Sequence, residues 1–315
     1  MALNTLTFNS AMTKELDRAV AQKAATGFLA DNPLRAKFVG AKTVLIPEVD
    51  MSGLGDYDRD TGFVRGSVSV SNRSYTLSQD RGRSFRLDRE DEDETGIAGL
   101  AGEVLAEFVR TKVVPEMDAY VLSKIAGYAV TKTQTVTGSL TKPYALFSAA
   151  VKAAQDAVGF DEELVAFVDS DTLRALQSSD EVARHLDVTS FRKGEVDLQV
   201  KTLDGVALIP VEKSRLKTAY TFYDGSTQGE TAGGFVPTAA AKSIALIVMP
   251  KRAASLVKKT EKMRTFTPDQ NPNADAYQID YRLYYDVFVK NSLGAGIEVY
   301  LHPDTTTPSQ GTGSN

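Results

Sequence analysis

The stretch that most constrains this chain is Thr95 to Tyr128. Apolar residues fall at Ile97, Leu100, Ala101, Val104, Leu105 and Phe108, then at Val113, Met117, Tyr120, Val121 and Ile125. Steps of three and four place them on one stripe of a helix, with Glu103, Glu107, Arg110 and Lys112 off it. At 1.5 Å per residue such a helix spans ~50 Å, long for a globular protein. The acidic run Glu90, Asp91, Glu92, Asp93, Glu94 lies just ahead, where helix N–H groups favour negative charge, and Thr95 can cap the first turn. Pro115 deletes one ladder bond and crowds the carbonyl of Thr111. The stripe resumes at once, so the pattern predicts a kink at Pro115 rather than a stop. A helix of this length needs cover from outside its own hairpin. It reads as a strut.

Around it the periodicity changes several times. Met12, Leu16, Ala19, Val20 and Ala24 share one face of a helix over residues 9–25, with nothing upstream to pack on, as in an arm that docks elsewhere. A strand is predicted from Lys42 to Val49, then a turn region rich in glycine and aspartate over Ser52–Gly62. From Val64 to Leu87 apolar and polar residues alternate, broken by Asn72 and Gly82, which predicts a long β-hairpin. Its few large apolar residues cannot bury it, so it is expected to lie on another subunit. Tyr144–Val158 reads as a helix, and Leu164–Val168, Val206–Val211 and Ile244–Met249 as buried strands. Ser170 or Asp171 is the expected cap of a helix over Thr172–Leu176. Gly225–Gly234 is a polar loop, expected to be mobile. Alternation returns over Tyr277–Val289, and Ile297–Leu301 closes the chain before a Thr, Ser, Gly and Pro tail expected to be disordered. The mixture is α+β rather than strict βαβ alternation.

Little in the 315 residues speaks for catalysis. With no cysteine, disulfides, thiolate chemistry and cysteine metal sites are excluded. Asp56, Asp58 and Asp60 are spaced like calcium ligands, but Thr61 and Ser67 stand where the turn glycine and the bidentate glutamate belong, so a solvated loop is expected. Asp169 and Asp171 resemble a metal-binding pair, although a strand exit followed by a helix cap accounts for both. The two histidines, His185 and His302, are far apart, and no phosphate loop, nucleophile elbow or dinucleotide fingerprint occurs. No cofactor and no metal is expected. The net charge of −5 argues against a surface that coats nucleic acid. No window approaches 18 apolar residues and no signal peptide is visible, so no membrane partner is expected and the chain should remain in the cytosol.

The arginines carry the strongest functional signal. Arg59, Arg65, Arg73, Arg81, Arg83, Arg86 and Arg89 lie in or beside the alternating stretch, whereas lysine is absent from Thr43 to Thr111. Guanidinium groups suit bidentate pairing with carboxylates in partly dry contacts. The acceptors expected on a neighbouring subunit are Glu90, Asp91 and Glu92, with Glu103, Glu107 and Glu116 along the strut. Reversing Arg81 and Arg83 would then abolish assembly and spare the isolated fold.

The run Gly53-Leu54-Gly55-Asp56-Tyr57-Asp58-Arg59, the run Asp80-Arg81-Gly82-Arg83-Ser84-Phe85 with the acidic stretch after it, and Val114-Pro115-Glu116-Met117-Asp118-Ala119-Tyr120 together resemble the major capsid proteins of tailed bacteriophages, of the Hong Kong 97 type. The resemblance covers nearly the whole chain and rests on several modest motifs in the right order. It implies an N-terminal arm over 1–40, an extended β-hairpin loop over 41–90, a peripheral domain with a spine helix over 91–140, an axial domain over 141–250, peripheral return strands over 251–302 and a tail over 303–315. It also implies a virion shell of pentamers and hexamers, assembled in the host cytoplasm on an icosahedral lattice around double-stranded DNA, with no sequence-specific contact to that DNA. A portal would join the shell, and since no long helical segment precedes the arm here, scaffolding is expected either from a separate chain or from sequence ahead of Met1. Some shells of this type join a loop lysine to a neighbour's asparagine, and Val64 to Leu87 contains no lysine. An encapsulin-like bacterial nanocompartment shell would share the fold. A soluble α+β enzyme working through carboxylates such as Asp169 and Asp171 is the more distant alternative.

Overall fold

The computed structural model describes residues 24–31, 37–40, 42–88, 105–131, 135–137, 142–179, 186–193, 196–267 and 276–303. Most of the predicted arm helix, Glu90, Asp91, Glu92 and Glu103, His185 and the tail beyond Pro303 lie outside these residues.

The largest sheet has seven strands, numbered here in chain order. Its spatial order is β5 (Thr135–Thr137), β15 (Glu298–Leu301), β12 (Ile244–Pro250), β6 (Leu164–Val168), β9 (Val206–Pro210), β8 (Val196–Leu203) and β7 (Leu186–Lys193). The β15–β5 and β6–β9 pairs are parallel and the others antiparallel. Successive residues of a strand point to opposite faces, and both faces of the central strands are covered. Val165, Phe167, Ile247 and Met249 join one core with helix α1 (Val114–Thr131). Leu164, Ala166, Val168, Leu246 and Val248 join a second core with α2 (Pro143–Val158) and α3 (Ser170–Ser178). Double burial is why these strands read as unbroken apolar runs. The β7–β8 hairpin was not visible in the sequence pattern.

The cap of α3 is one residue earlier than expected. Asp169 Oδ1 accepts from the Thr172 N–H at 2.8 Å, and its Oδ2 meets His302 Nε2 at 2.8 Å. Asp171 pairs instead with Lys213. The Asp169 carboxylate therefore ends β6, starts α3 and fastens the residue after β15.

The strut helix runs unbroken from Leu105 to Thr131 across Pro115. Just before the proline, Val109–Val113 is a π-helical turn, in which the Val114 N–H reaches back to the Val109 carbonyl. The wider turn accommodates a ring that would crowd the Thr111 carbonyl in a regular α-helix. It also suits the stripe, because Leu105, Val109, Val113 and Met117 are all buried at steps of four. In a regular α-helix each such step overshoots a full turn by about 40°.

The alternating stretch folds differently from the predicted hairpin. β3 (Val68–Thr76) does not pair with β4 (Gln79–Asp88). It pairs with β2 (Thr43–Met51), which also carries β1 (Lys37–Val39), while β4 joins β14 (Ala276–Val289) and β13 (Ala254–Phe266). The ribbon is thus β2–β3, with residues 52–67 at its tip. Neither residue taken for a break is one. Asn72 sits opposite Pro47 within β3, and Gly82 sits opposite Arg282 within β4. A Cβ on Gly82 would stand 2.9 Å from the Tyr281 carbonyl oxygen, so the glycine allows close approach of β14 rather than a turn.

Candidate assembly surface

The surface starts where the chain leaves the ribbon. Leu77 and Ser78 separate β3 from β4, and a buried carboxylate on β14 holds them. Asp286 Oδ2 accepts from the Ser78 N–H and hydroxyl, both at 3.0 Å. Its Oδ1 accepts from Tyr120 Oη at 2.7 Å, from the Val287 N–H at 2.7 Å and from the Lys124 ammonium. Burial raises the Tyr120 phenol above its usual pKa, against the opposing pull of Lys124 and Ser78. Burial alone would lower Lys124, but its bonds to Asp286 and Tyr120 outweigh that and raise it. Val44, Leu77, Tyr284 and Phe288 form a small apolar cluster beside this lock.

A second buried carboxylate fixes the arm. Asp118, on α1, accepts from the Ala25 and Thr26 N–H groups at 3.0 Å and from Thr26 Oγ1 at 2.7 Å, with Arg215 Nη1 at 3.3 Å. Neither aspartate was singled out from the sequence. The available signal was a lone carboxylate in an apolar run, as in Tyr285-Asp286-Val287 and Met117-Asp118-Ala119.

Beyond the lock the ribbon has almost no cover. Every β3 residue except Tyr75 is exposed, including Val68 and Val70. At the tip Leu54 is fully exposed, Phe63 is 87% exposed and Val64 70%. The Tyr57 and Phe63 rings pack together at 4.9 Å. Asp58 Oδ1 accepts from the Asp60 and Thr61 N–H groups at 2.7 and 2.8 Å, and those bonds hold its carboxyl below the usual range. The aspartate spacing that suggests calcium thus closes a turn.

The arginines divide into two groups. Arg59, Arg65 and Arg73 are exposed on the ribbon, with Arg73 over the Tyr75 ring, and Arg86 is exposed on β4. Arg81 and Arg83 point back into their own chain. Arg81 Nε donates to Glu116 Oε1 at 2.6 Å and its Nη1 to the Tyr223 carbonyl at 2.8 Å. Arg83 donates to the Thr231 carbonyl at 3.2 and 3.3 Å. The pairing of Arg81 with Glu116 forms, but within one subunit. Glu107 is bound by Arg110 of the same helix. The loop between β10 (Tyr220–Phe222) and β11 (Phe235–Pro237) is therefore tied down at three carbonyls, counting the longer 3.5 Å contact from Arg81 Nη2 to Gly234, where the sequence suggested mobility. Between this loop, β4 and the start of α1 lies a groove of about 880 Å³.

No protein-family model matches the sequence, and no curated protein matches it. Solved structures do match. A subunit from the mature capsid of bacteriophage PhiM1 superposes with a TM-score of 0.54 at 15% identity, over 84% of this chain and 83% of that one. The capsid of cyanophage P-SCSP1u gives 0.52 at 14% identity, over 85% of each chain. A structure from Mycobacterium phage Che8 gives 0.53 at 13% identity, over 85% of this chain and 92% of that one. Over most of its length the chain thus has the mixed helix-and-strand fold of these phage capsid structures.

Proposed function

We propose that the protein is a major capsid protein, a subunit that assembles with copies of itself into pentamers and hexamers of an icosahedral shell around phage double-stranded DNA. The observation that carries this reading is the ribbon β2–β3. It exposes Val49, Met51, Leu54, Phe63, Val64, Val68 and Val70, and beyond its root no described element of its own chain pairs with it. Exposed apolar surface of this kind marks an interaction site. In this reading residues 41–90 hold the extended loop, α1 belongs to the spine, 141–250 form the axial domain, and 276–301 return to the periphery. A portal and a separate scaffolding protein join during assembly in the host cytoplasm. The protein itself catalyses nothing.

Negative-stain microscopy and sedimentation of the expressed protein test the proposal. Closed particles in the megadalton range are expected. A discrete monomer or small oligomer under all ionic conditions would overturn it. Particles from infected cells should hold nuclease-protected duplex DNA. A protein cargo in its place would identify a nanocompartment.

A further inference from the structure

The groove beside β4 is aromatic and electrically balanced. Phe85, Phe108, Phe235 and Val236 line it, and Val236 is 37% exposed there. Its five cations answer to the carboxylates of Asp80, Glu116, Glu212 and Asp224 among the lining residues, and to Glu107 and Asp118, which bind Arg110 and Arg215. Asp224 is kept ionised by the Ser226 and Thr227 N–H groups of its own loop. A cleft without net charge cannot select an acidic or a basic ligand. It suits an amphipathic segment whose own charges nearly cancel.

The arm enters the fold at the rim of this groove. Ala24 is fully buried, and the Ala25 and Thr26 N–H groups donate to Asp118 at 3.0 Å. Asp118 Oδ2 also meets Arg215 Nη1 at 3.3 Å, and Arg215 lines the groove. Residues 24–26 are not helical, so the helix predicted over 9–25 cannot run past Lys23. In the sequence, Met12, Leu16, Ala19 and Val20 lead to the buried Ala24 at steps of three and four. In a helix, the side that turns inward at Ala24 is therefore the side that carries these apolar residues. Residues 9–23 would reach ~22 Å from the rim at 1.5 Å each. Over the same residues Lys14, Arg18 and Lys23 stand against Glu15 and Asp17, so the charges nearly cancel.

We propose that residues 9–23 of each chain lie as an amphipathic helix in the groove of the same subunit, with Met12 and Leu16 against Phe85, Phe108 and Val236. The arm then acts as a strap. It covers the aromatic cleft and joins α1, β4 and the loop between β10 and β11 from outside. Its apolar stripe supplies the attraction, and its mixed charges meet a wall of mixed charges. Occupancy by its own arm also keeps the cleft from taking up unrelated apolar chains. The inference concerns contacts inside one subunit and stands apart from the shell reading.

The absence of cysteine allows a direct test. Met12→Cys and Leu16→Cys are each combined with Val236→Cys, and the protein is oxidised and run in detergent without reductant. A monomer of increased mobility with no free thiol is expected from at least one pair, while each single variant keeps its thiol. Linked dimers and a ladder in place of that monomer would seat the arm on a neighbouring copy and overturn the proposal. Retention of both thiols in both pairs would overturn it as well. The gel reads free subunits and particles alike, so the result does not depend on whether shells form. A second readout uses no cysteine. Leu16→Asp should bring loss of amide-exchange protection at Phe235 and Val236 while α2 keeps its own. Loss throughout the subunit, or no loss at Phe235 and Val236, would take the arm out of the groove.

Discussion

Arg81 donates to acceptors of its own chain only, so its charge serves the subunit before it serves a lattice. Replacing it with glutamate would place two carboxylates together beside the groove and leave the Tyr223 carbonyl without its donor. Arg81→Glu should lower the stability of the unassembled subunit by about 1.5–3 kcal/mol, the range for bonds to a charged group. Arg83→Glu removes contacts to one carbonyl and should change it by under ~1 kcal/mol. Urea unfolding of the two single variants checks this, and equal midpoints would refute the assignment of Arg81. A second consequence concerns alkali. Tyr120, Lys124 and the fully buried Tyr285 all have raised pKa values in the fold. A raised value contributes stability that is complete below the unfolded pKa and lost as pH climbs through the folded one. The subunit should therefore lose stability from about pH 10 upward, where unfolded tyrosine and lysine begin to titrate. Unfolding midpoints from pH 8 to 12 should fall less steeply for Tyr120→Phe, and parallel curves would show that this phenol is not a contributor.

Secondary-structure elements show where sequence reading reaches and where it ends. Leu164–Val168 and Ile244–Pro250 were legible because both of their faces are buried, and β14 because its alternation is uninterrupted. β13 was not, because Lys258, Lys259, Glu261, Lys262 and Arg264 crowd its pattern and a register shift between Lys258 and Thr260 breaks the period. The ribbon was recognised as a ribbon, yet its partner strand was misassigned, since alternation does not say which strand lies alongside. Arg81 pairs with Glu116 of its own chain, whereas the sequence reading placed that acceptor on a neighbouring subunit. Nothing in a sequence distinguishes a partner in the same chain from one in the next. The π turn at Val109–Val113 leads to a prediction at this scale. Both the proline ring and the buried step-of-four stripe favour it, so Pro115→Ala removes one cause and leaves the other. The variant should fold with stability within ~1 kcal/mol of the parent and give particles of unchanged diameter. A changed diameter would mean that the ring alone sets the course of the helix.

At the scale of the whole molecule, the ribbon is the least covered of the described elements before assembly. Trypsin should cut the free subunit first at Arg59 or Arg65, both exposed at the tip, and assembled particles should resist under the same conditions. Early cleavage elsewhere in the free subunit, or equal cleavage in particles, would contradict the covering of the ribbon by assembly. Because the ribbon has no lysine to act as a nucleophile, mature particles should dissolve in hot detergent to a single band near the 34.0 kDa of the chain. Bands that survive boiling would reveal a covalent joint formed elsewhere.

The position of the last strands has a consequence for the order of events during synthesis. β15 lies between β5 and β12, inside its sheet rather than at the edge, and β14 lies between β13 and β4. A growing chain therefore displays its sticky ribbon long before it can make either sheet whole, because both wait for residues beyond Ala276. Asp286, which locks the ribbon's root, arrives in the same late segment. A chain cut short by an early stop has the tip but neither the lock at its root nor a finished sheet behind it. Such a fragment should stay out of the wall, so the topology itself inspects each copy for completeness.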